Sequence, residues 1–292
     1  MIIGCTGNYR KSEYVEIVKH VNKFLINNGV RCIVSSDILN SDHIINKTLP
    51  LDLEILDFSE LENLSDIILC IGGDGTFLST ARRMNQNNTP LLGVHIGGLG
   101  FLAEISRDKI DESLKLVIDK KYKVEDRMRI ELYLEKNSLL EKFTALNDIV
   151  VDHGDSGRIL KTQILVNNDY LNTYESDGMI ISTAIGSTAY SLSAGGPIVH
   201  PLMDAIIITP ICSHSLSARS IVLSGGSTVN IEFPDLDHSI YCTIDGQHRF
   251  LLEESSKLEI KRSNKNIKVA ILPSYSYFDI LRNKMRWSGN LR

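Results

Sequence analysis

Apolar and polar positions follow two different rhythms along this chain, and the change falls near residue 122. Before it, short apolar runs alternate with stretches of helical spacing. Ile2 to Cys5, Arg31 to Val34 and Leu91 to Val94 read as strands, and Ile67 to Ile71 is the continuous apolar run of a buried parallel strand. Ser12 to Asn28 carries Val15, Val18, Val21, Phe24 and Leu25 at roughly helical intervals, with Ser12 placed to cap its start and Gly29 to stop it. Phe77 to Met84 and Asp108 to Lys120 read as further helices, and Asp37 to Pro50 as loop or weak helix. This alternation predicts βαβ units and a parallel sheet.

Beyond residue 122 the period shortens to two. In Arg129 to Lys136, Ile130, Leu132 and Leu134 alternate with Glu131, Tyr133 and Glu135, the pattern of a half-exposed strand. Strand-like pieces recur at Phe143 to Leu146, Ile149 to Val151, Lys161 to Val166, Met179 to Ser182, Thr228 to Phe233, Ile240 to Ile244 and Leu258 to Lys261, with one helix around Ser187 to Ala194. Ile267 to Leu272 and Phe278 to Met285 read as a strand and helix returning to the first domain. The expected architecture is an α/β domain over residues 1–124 and 268–292, with a β-rich, sandwich-like domain over 125–267.

Composition narrows the function classes. The chain has 292 residues, 43% apolar and 23% charged, enough to bury a substantial core. A net charge of −5 gives no overall case for nucleic acid or an anionic membrane as partner. The five cysteines are scattered, odd in number and mostly set in apolar runs, which fits reduced thiols in a cytoplasmic protein. The N-terminal apolar run is too short for a secretory signal, and Ala205 to Cys212 is too short to span a bilayer. A soluble, cytoplasmic protein is expected.

Chemistry concentrates in three places. Cys70-Ile71-Gly72-Gly73-Asp74-Gly75-Thr76 ends an apolar run in glycines clustered around one acid. Glycines let backbone N–H groups approach a ligand closely, and a strand-to-helix junction of this kind cradles anionic oxygens at Gly72, Gly73, Gly75 and Thr76. An aspartate there repels the phosphates the loop attracts, so Asp74 makes sense as a metal ligand or as a base for a hydroxyl nucleophile. A second glycine loop, Gly93 to Phe101, follows the next strand, where the two would lie side by side at one sheet edge. Asn147-Asp148 pairs an amide with a carboxylate, suited to adenine and to ribose hydroxyls, although taken alone the pair also fits a hairpin turn. The third stretch, Asp177 to Pro197, runs strand, glycine turn and hydroxyl-rich helix start.

Together these motifs resemble the NAD kinase family, whose pattern is a G-G-D-G-T loop, an N-E or N-D pair and a long D-G…G-S-T-A-Y-S-L-S-A-G-G-P segment. The resemblance runs from about Gly72 to Gln247, in the order seen in bacterial members. It implies a Rossmann-like N-terminal domain and transfer of the terminal phosphoryl group of ATP, or of another donor such as polyphosphate, to the 2′-hydroxyl of the adenosine ribose of NAD. It further implies that Asp74 is the catalytic aspartate and that Gly75 lies against the ligand. Asn147 and Asp148 match the pair holding adenine and ribose, and Asp177 an acid contacting the nicotinamide half. Thr188, Ala189, Tyr190 and Ser193, with Ile185, Ser191 and Leu192 in the same run, match the dinucleotide-binding helix start, while Arg158 and Gln247 fall where family members contact the ligand. Magnesium would arrive with ATP, and the family is commonly dimeric or tetrameric.

Three positions depart from the family's usual text: His95 stands where Asn is common, Gly98 where Arg is common, and Thr183-Ala184-Ile185 replaces T-P-T. His95 is a candidate phosphate contact. A lipid kinase shares the G-G-D-G loop but lacks the G-S-T-A-Y-S-L-S-A-G-G-P run, and a dinucleotide sensor without turnover would have little use for Asp74.

Overall fold

The computed structural model describes all residues except 42–48, 51–52, 86–87, 99, 137–138, 235–238, 253–255 and 288–292. Part of the expected loop or weak helix over Asp37 to Pro50, and Leu99 of the second glycine loop, lie outside the described residues. The chain divides into two compact units, Met1–Asp126 with Ile267–Arg292, and Arg127–Asn266.

The first unit opens with β1 (Ile2–Gly7), α1 (Ser12–Asn27), β2 (Arg31–Ser35), β3 (Glu54–Leu56), α2 (Phe58–Leu64), β4 (Ile67–Gly72), α3 (Asp74–Arg83), β5 (Leu91–His95), β6 (Ala103–Ile105), α4 (Ile110–Ile118) and β7 (Lys123–Arg127). Every residue of β4 is buried, as a strand covered on both faces must be. Helix α1 turns Val15, Val18, Val21 and Leu25 into the core and ends at Gly29, whose φ of +68° is one that glycine adopts most readily. Its cap differs from expectation: Lys11 holds the N-cap position with no side-chain bond, while the Ser12 hydroxyl donates to Glu13 Oε2 at 3.2 Å. Asp57 does cap α2, accepting from the Glu60 N–H at 2.9 Å. The short elements β3, α2 and β6 escaped the apolar pattern, because three to seven residues offer too few repeats to declare a period.

The second unit contains β8 (Ile130–Lys136), β9 (Leu139–Ala145), β10 (Asp148–Asp152), β11 (Leu160–Val166), β12 (Asp169–Ser176), β13 (Gly178–Thr183), α5 (Tyr190–Ser193), β14 (Ala205–Ile211), β15 (Ile221–Ser224), β16 (Val229–Glu232), β17 (Ile240–Ile244), β18 (His248–Leu252) and β19 (Lys257–Arg262). They form two six-stranded sheets, ordered β15-β14-β13-β10-β17-β18 and β12-β11-β16-β19-β8-β9. One apolar cluster joins them, with Ile149, Ile181, Ile208 and Ile244 from the first and Ile130, Leu132, Ile164, Ile231 and Ile260 from the second. This is a β-sandwich. Asn147-Asp148 is therefore no hairpin: β9 pairs with β8, β10 pairs with β13 and β17, and the two residues turn the chain from one sheet into the other. The expected helix over Ser187 to Ala194 is broken into a 3₁₀ turn at Gly186–Thr188 and the single turn α5. Ala189, at φ −97° and ψ −132°, leaves helical geometry between them.

The chain then returns to the first unit as β20 (Ile267–Ile271) and α6 (Tyr277–Met285). The first sheet is ordered β3-β2-β1-β4-β5-β20-β7, with β6 on β5, and β20 runs parallel to β5. The order reverses between β1 and β4, the position where open parallel sheets leave a crevice at their carboxyl ends. Among the described residues no helix is long and apolar enough to cross a membrane.

Leu69, fully buried at the centre of β4, should be one of the costliest positions to truncate. Leu69→Ala is expected to lose about 2–5 kcal/mol, read as a lower urea midpoint for the first unit.

Candidate functional site

The first unit presents one acidic group at its switch point. Gly7 ends β1 and Gly72 ends the neighbouring parallel β4, and a Cβ on Gly7 would stand 2.1 Å from the Ile71 carbonyl oxygen. The two backbones meet only because no side chain intervenes. Helix α3 starts at Asp74, three residues earlier than expected, so the glycine loop contracts to a sharp Gly72-Gly73 junction. Gly73 accepts from the N–H groups of Thr76 at 2.9 Å and Phe77 at 3.1 Å, closing the first turn. Gly73 and Gly75 are exposed, Asp74 and Thr76 half-buried.

Asp74 is held by the second glycine loop. Strands β4 and β5 are parallel neighbours with Gly72 opposite His95, so the chain beyond β5 passes beside α3. Asp74 Oδ2 accepts from the Phe101 N–H at 2.9 Å, and Oδ1 from the Leu102 N–H at 3.0 Å. A Cβ on Gly100 would lie 2.0 Å from Oδ1, so glycine is required for this approach. Each carboxylate oxygen keeps a second lone pair for a ligand hydroxyl. His95 donates Nδ1–H to the Gly97 carbonyl at 2.7 Å, a bond that fixes its tautomer because a carbonyl only accepts. Gly97 and Gly98 are exposed.

In the second unit a separate cavity of about 340 Å³ opens on the outer face of the β10-containing sheet. Pairing puts Asp148, Val150 and Asp152 of β10 on one face with Thr243 of β17 and Arg249 of β18, and the apolar alternates Ile149 and Val151 face the core. Asn147, Asp148, Ala189 and Tyr190 line it, beside Asp152, Thr243, Asp245 and Arg249. Two side-chain atoms in this wall, Asn147 Oδ1 and Thr243 Oγ1, are buried without a hydrogen-bond partner, a costly state that a polar ligand would relieve. Asp148 is 3% exposed, and burial first, then repulsion from Asp245, push its carboxyl up to about 7. Burial also raises the Tyr190 hydroxyl, with Asp152 and Cys212 contributing, although 47% of that side chain is exposed.

Much of the Asp177 to Pro197 segment braces the cavity. Thr183 donates its N–H to the Asn147 carbonyl at 2.8 Å and its hydroxyl to the Leu146 carbonyl at 2.6 Å. Gly186 lies so near that a Cβ would be 2.1 Å from the Asn147 oxygen. Ser187 bonds the Ala184 carbonyl and the Val199 N–H, and Ser191 bonds Thr209 Oγ1 at 2.9 Å; both serines are fully buried. Ser191 thus holds the segment to β14, while Ala189 and Tyr190 reach the cavity. Thr188 Oγ1 donates to the Ile185 carbonyl at 3.1 Å. Ile185 is buried, Leu192 half-buried and Ser193 exposed.

Asp177 lies at the other end of β13 from Ser182, the residue opposite Asp148. Five strand residues at ~3.3 Å each separate the two acids by on the order of 16 Å, the scale of an extended dinucleotide. His153 Nε2 stands 3.8 Å from Asp177 Oδ1. Arg158 and Gln247 are exposed and outside the cavity wall. The wall residues Asp152, Thr243, Asp245 and Arg249 were not singled out from the sequence. Asp245-Gly246 carried a signal nonetheless, a D-G dipeptide between two strand-like runs.

A carboxylate fixed beside a glycine junction in an α/β unit, and a polar cavity on a β-sandwich in the same chain, suit a nucleotide-binding phosphotransferase, the class to which this chain's relatives belong. Residues 3–122 match the family model of the ATP-NAD kinase N-terminal domain, and residues 146–272 that of its C-terminal domain. NAD kinase of Caldanaerobacter subterraneus is 37% identical over 284 residues, covering 97% of this chain and 98% of its own. That of Thiobacillus denitrificans is 34% identical over 290 residues, covering 99% and 98%. The crystal structure of yeast NADH kinase with NADH superposes with a TM-score of 0.86 at 26% identity, covering 100% of this chain and 89% of that one. The structure of an Archaeoglobus fulgidus NAD kinase shares the fold, with a TM-score of 0.75 at 23% identity. The chain belongs to the NAD kinase family.

The raised Asp148 carboxyl has a consequence for stability. A carboxyl ionised in the unfolded chain but still protonated when folded favours the native state at low pH, and that contribution is lost as pH rises from about 4 through about 7. Asp148→Asn should therefore melt higher than wild type at pH 8, on the order of a few kcal/mol, and converge with it at pH 4. Thermal unfolding at the two pH values measures the difference.

Proposed function

We propose that this chain transfers the terminal phosphoryl group of ATP to the 2′-hydroxyl of the adenosine ribose of NAD, with Asp74 as general base. The observation that carries this reading is the Asp74 carboxylate, fixed by two backbone N–H groups at the end of β4 yet half-open to solvent. In the step, Asp74 takes the 2′-hydroxyl proton as that oxygen bonds the γ-phosphorus. The bond to the β,γ-bridging oxygen breaks, and ADP leaves beside NADP. Phosphoryl transfer depends mostly on positioning and charge neutralisation, and magnesium carried on the ATP phosphates would supply the latter. The exposed backbone at Gly73 and Gly75, next to the N-terminus of α3, suits those phosphates.

Adenosine fits the second unit's cavity. Asn147 Oδ1 is an acceptor for the adenine amine, Thr243 Oγ1 a donor to a ring nitrogen, and Asp148 an acceptor for ribose hydroxyls. Tyr190 offers an aromatic face, and Asp177 lies a dinucleotide's length along β13. Arg158, Ser193 and Gln247 are exposed and reach the ligand only from outside this wall. The reading extends to a homodimer or homotetramer working in the cytoplasm, where the described cysteines, all free, would stay reduced.

Incubation with NAD, ATP and magnesium should yield NADP, measured with an NADP-specific dehydrogenase. No product with ATP, polyphosphate or another nucleotide donor overturns the reading, and phosphorylated lipid in a parallel incubation would redirect it. Asp74→Asn should fold normally by circular dichroism and lose about 10²–10⁴-fold in kcat. Near wild-type turnover would refute the base assignment.

A further inference from the structure

The turn between β17 and β18 reaches well beyond its own hairpin. Asp245 and Gly246 both take positive φ, +48° and +64°, a backbone that Asp, Asn and Gly tolerate best. That conformation carries the Asp245 carboxylate to the corner where β9 gives way to β10. Its Oδ1 accepts from the N–H groups of Leu146 at 3.1 Å, Asn147 at 2.8 Å and Asp148 at 3.2 Å, and Oδ2 meets the Leu146 N–H at 3.2 Å. In return the Asp245 N–H donates to the Asp148 carbonyl at 2.9 Å.

We propose that Asp245 is a positioning residue of the dinucleotide cavity, one that locks the Asn147-Asp148 corner and couples ligand binding to release of a proton from Asp148. The proposal rests on the reading of NAD as the ligand. The groups facing the Asp148 carboxyl come from four elements. Asp245 projects from the hairpin turn, Asp152 from β10 itself, Arg249 from β18 and Tyr190 from α5. Strand β13 contributes no charge there, only Ser182, whose buried hydroxyl has no partner.

Among the described residues of this wall Arg249 is the only cation, and it is committed elsewhere. Its Nη2 bonds Asp152 Oδ1 at 2.8 Å, and its guanidinium lies 4.6 Å from the centre of the Tyr241 ring. Burial and the Asp245 carboxylate therefore dominate around Asp148, which sits near 7. Ribose hydroxyls and an exocyclic amine are donors, and an ionised carboxylate accepts from them better than a protonated one. Binding pulls Asp148 to its charged form, and the proton leaves to solvent.

Calorimetric titration of NAD into the enzyme at pH 7, without a phosphoryl donor, tests this in two buffers of different ionisation enthalpy. Wild type should release about half a proton per site, the fraction still bound by a group titrating near the working pH. Asp148→Asn should bind NAD with no proton release. Asp245→Asn keeps the positive-φ turn and the Oδ1 acceptor but removes the charge. Its proton release should fall below the wild-type count, and its affinity should vary less between pH 6 and 8, because burial alone still raises the Asp148 carboxyl. Asp245→Ala also loses the acceptor and should bind about tenfold more weakly or worse. Binding by wild type without proton release, or a wild-type proton count in Asp245→Asn, overturns the proposal. A wild-type protein that neither binds NAD nor makes NADP overturns the nucleotide reading beneath it.

Discussion

Backbone N–H groups that leave their ladder must find another acceptor, and in both units of this protein one aspartate carboxylate collects them. Asp74 gathers the N–H groups of Phe101 and Leu102, and Asp245 those of Leu146, Asn147 and Asp148. Each bond joins segments far apart in sequence, and each fixes a turn carrying a group able to meet a nucleotide. A buried N–H without an acceptor costs about 1–3 kcal/mol, so these carboxylates hold the local chain path as well as lining the sites. Among the buried polar atoms left without a partner, Asn147 Oδ1 and Thr243 Oγ1 stand where a ligand would meet them.

Close backbone approach is the companion constraint. Gly100 packs on the Asp74 carboxylate and Gly186 on the Asn147 carbonyl, at separations that leave no space for a Cβ. The glycines of the two loops and of the long segment thus differ in purpose. Some let main chain press against main chain or carboxylate, whereas Gly73 and Gly75 stay open toward solvent. The serines divide in the same way: Ser187 and Ser191 tie the segment down from inside, while Ser193 lies on the surface.

Elements with several repeats of their period were legible in the sequence: α1, β4, β8 and the strands of the sandwich core. The return of the C-terminal strand to the first sheet was legible too, because Ile267 to Leu272 is apolar apart from Lys268. Strand β14 was visible only as an apolar run, since Pro210 and Thr209 interrupt it, and β12 was masked by its polar alternates. The motif residues Asp74, Asn147, Asp148 and Tyr190 were legible because their residue types are unusual for their surroundings. Thr243, Asp152 and Arg249 were not. Each sits on a sheet face whose other members are brought together only by pairing between strands distant in sequence, and a period-2 pattern says which face a residue takes, not what stands opposite. Asp245 was hidden for a further reason: a D-G dipeptide announces a turn, and nothing local announces that the turn's carboxylate serves another segment.

The sandwich is inserted between β7 and β20, two strands that neighbour each other in the first unit's sheet. Synthesis runs from the amino end, so β1 through β7 emerge before the strand that must lie between β5 and β7 exists. Until the whole sandwich has been made, the first sheet lacks its partner at the Leu91 end of β5, while β6 already covers Gly93 and Val94. The insertion itself adds little equilibrium cost, since closure entropy rises by only about 0.6 kcal/mol for each doubling of loop length. Its burden is one of order in time: the half that carries Asp74 is completed last by residues translated after the half that carries Asp148.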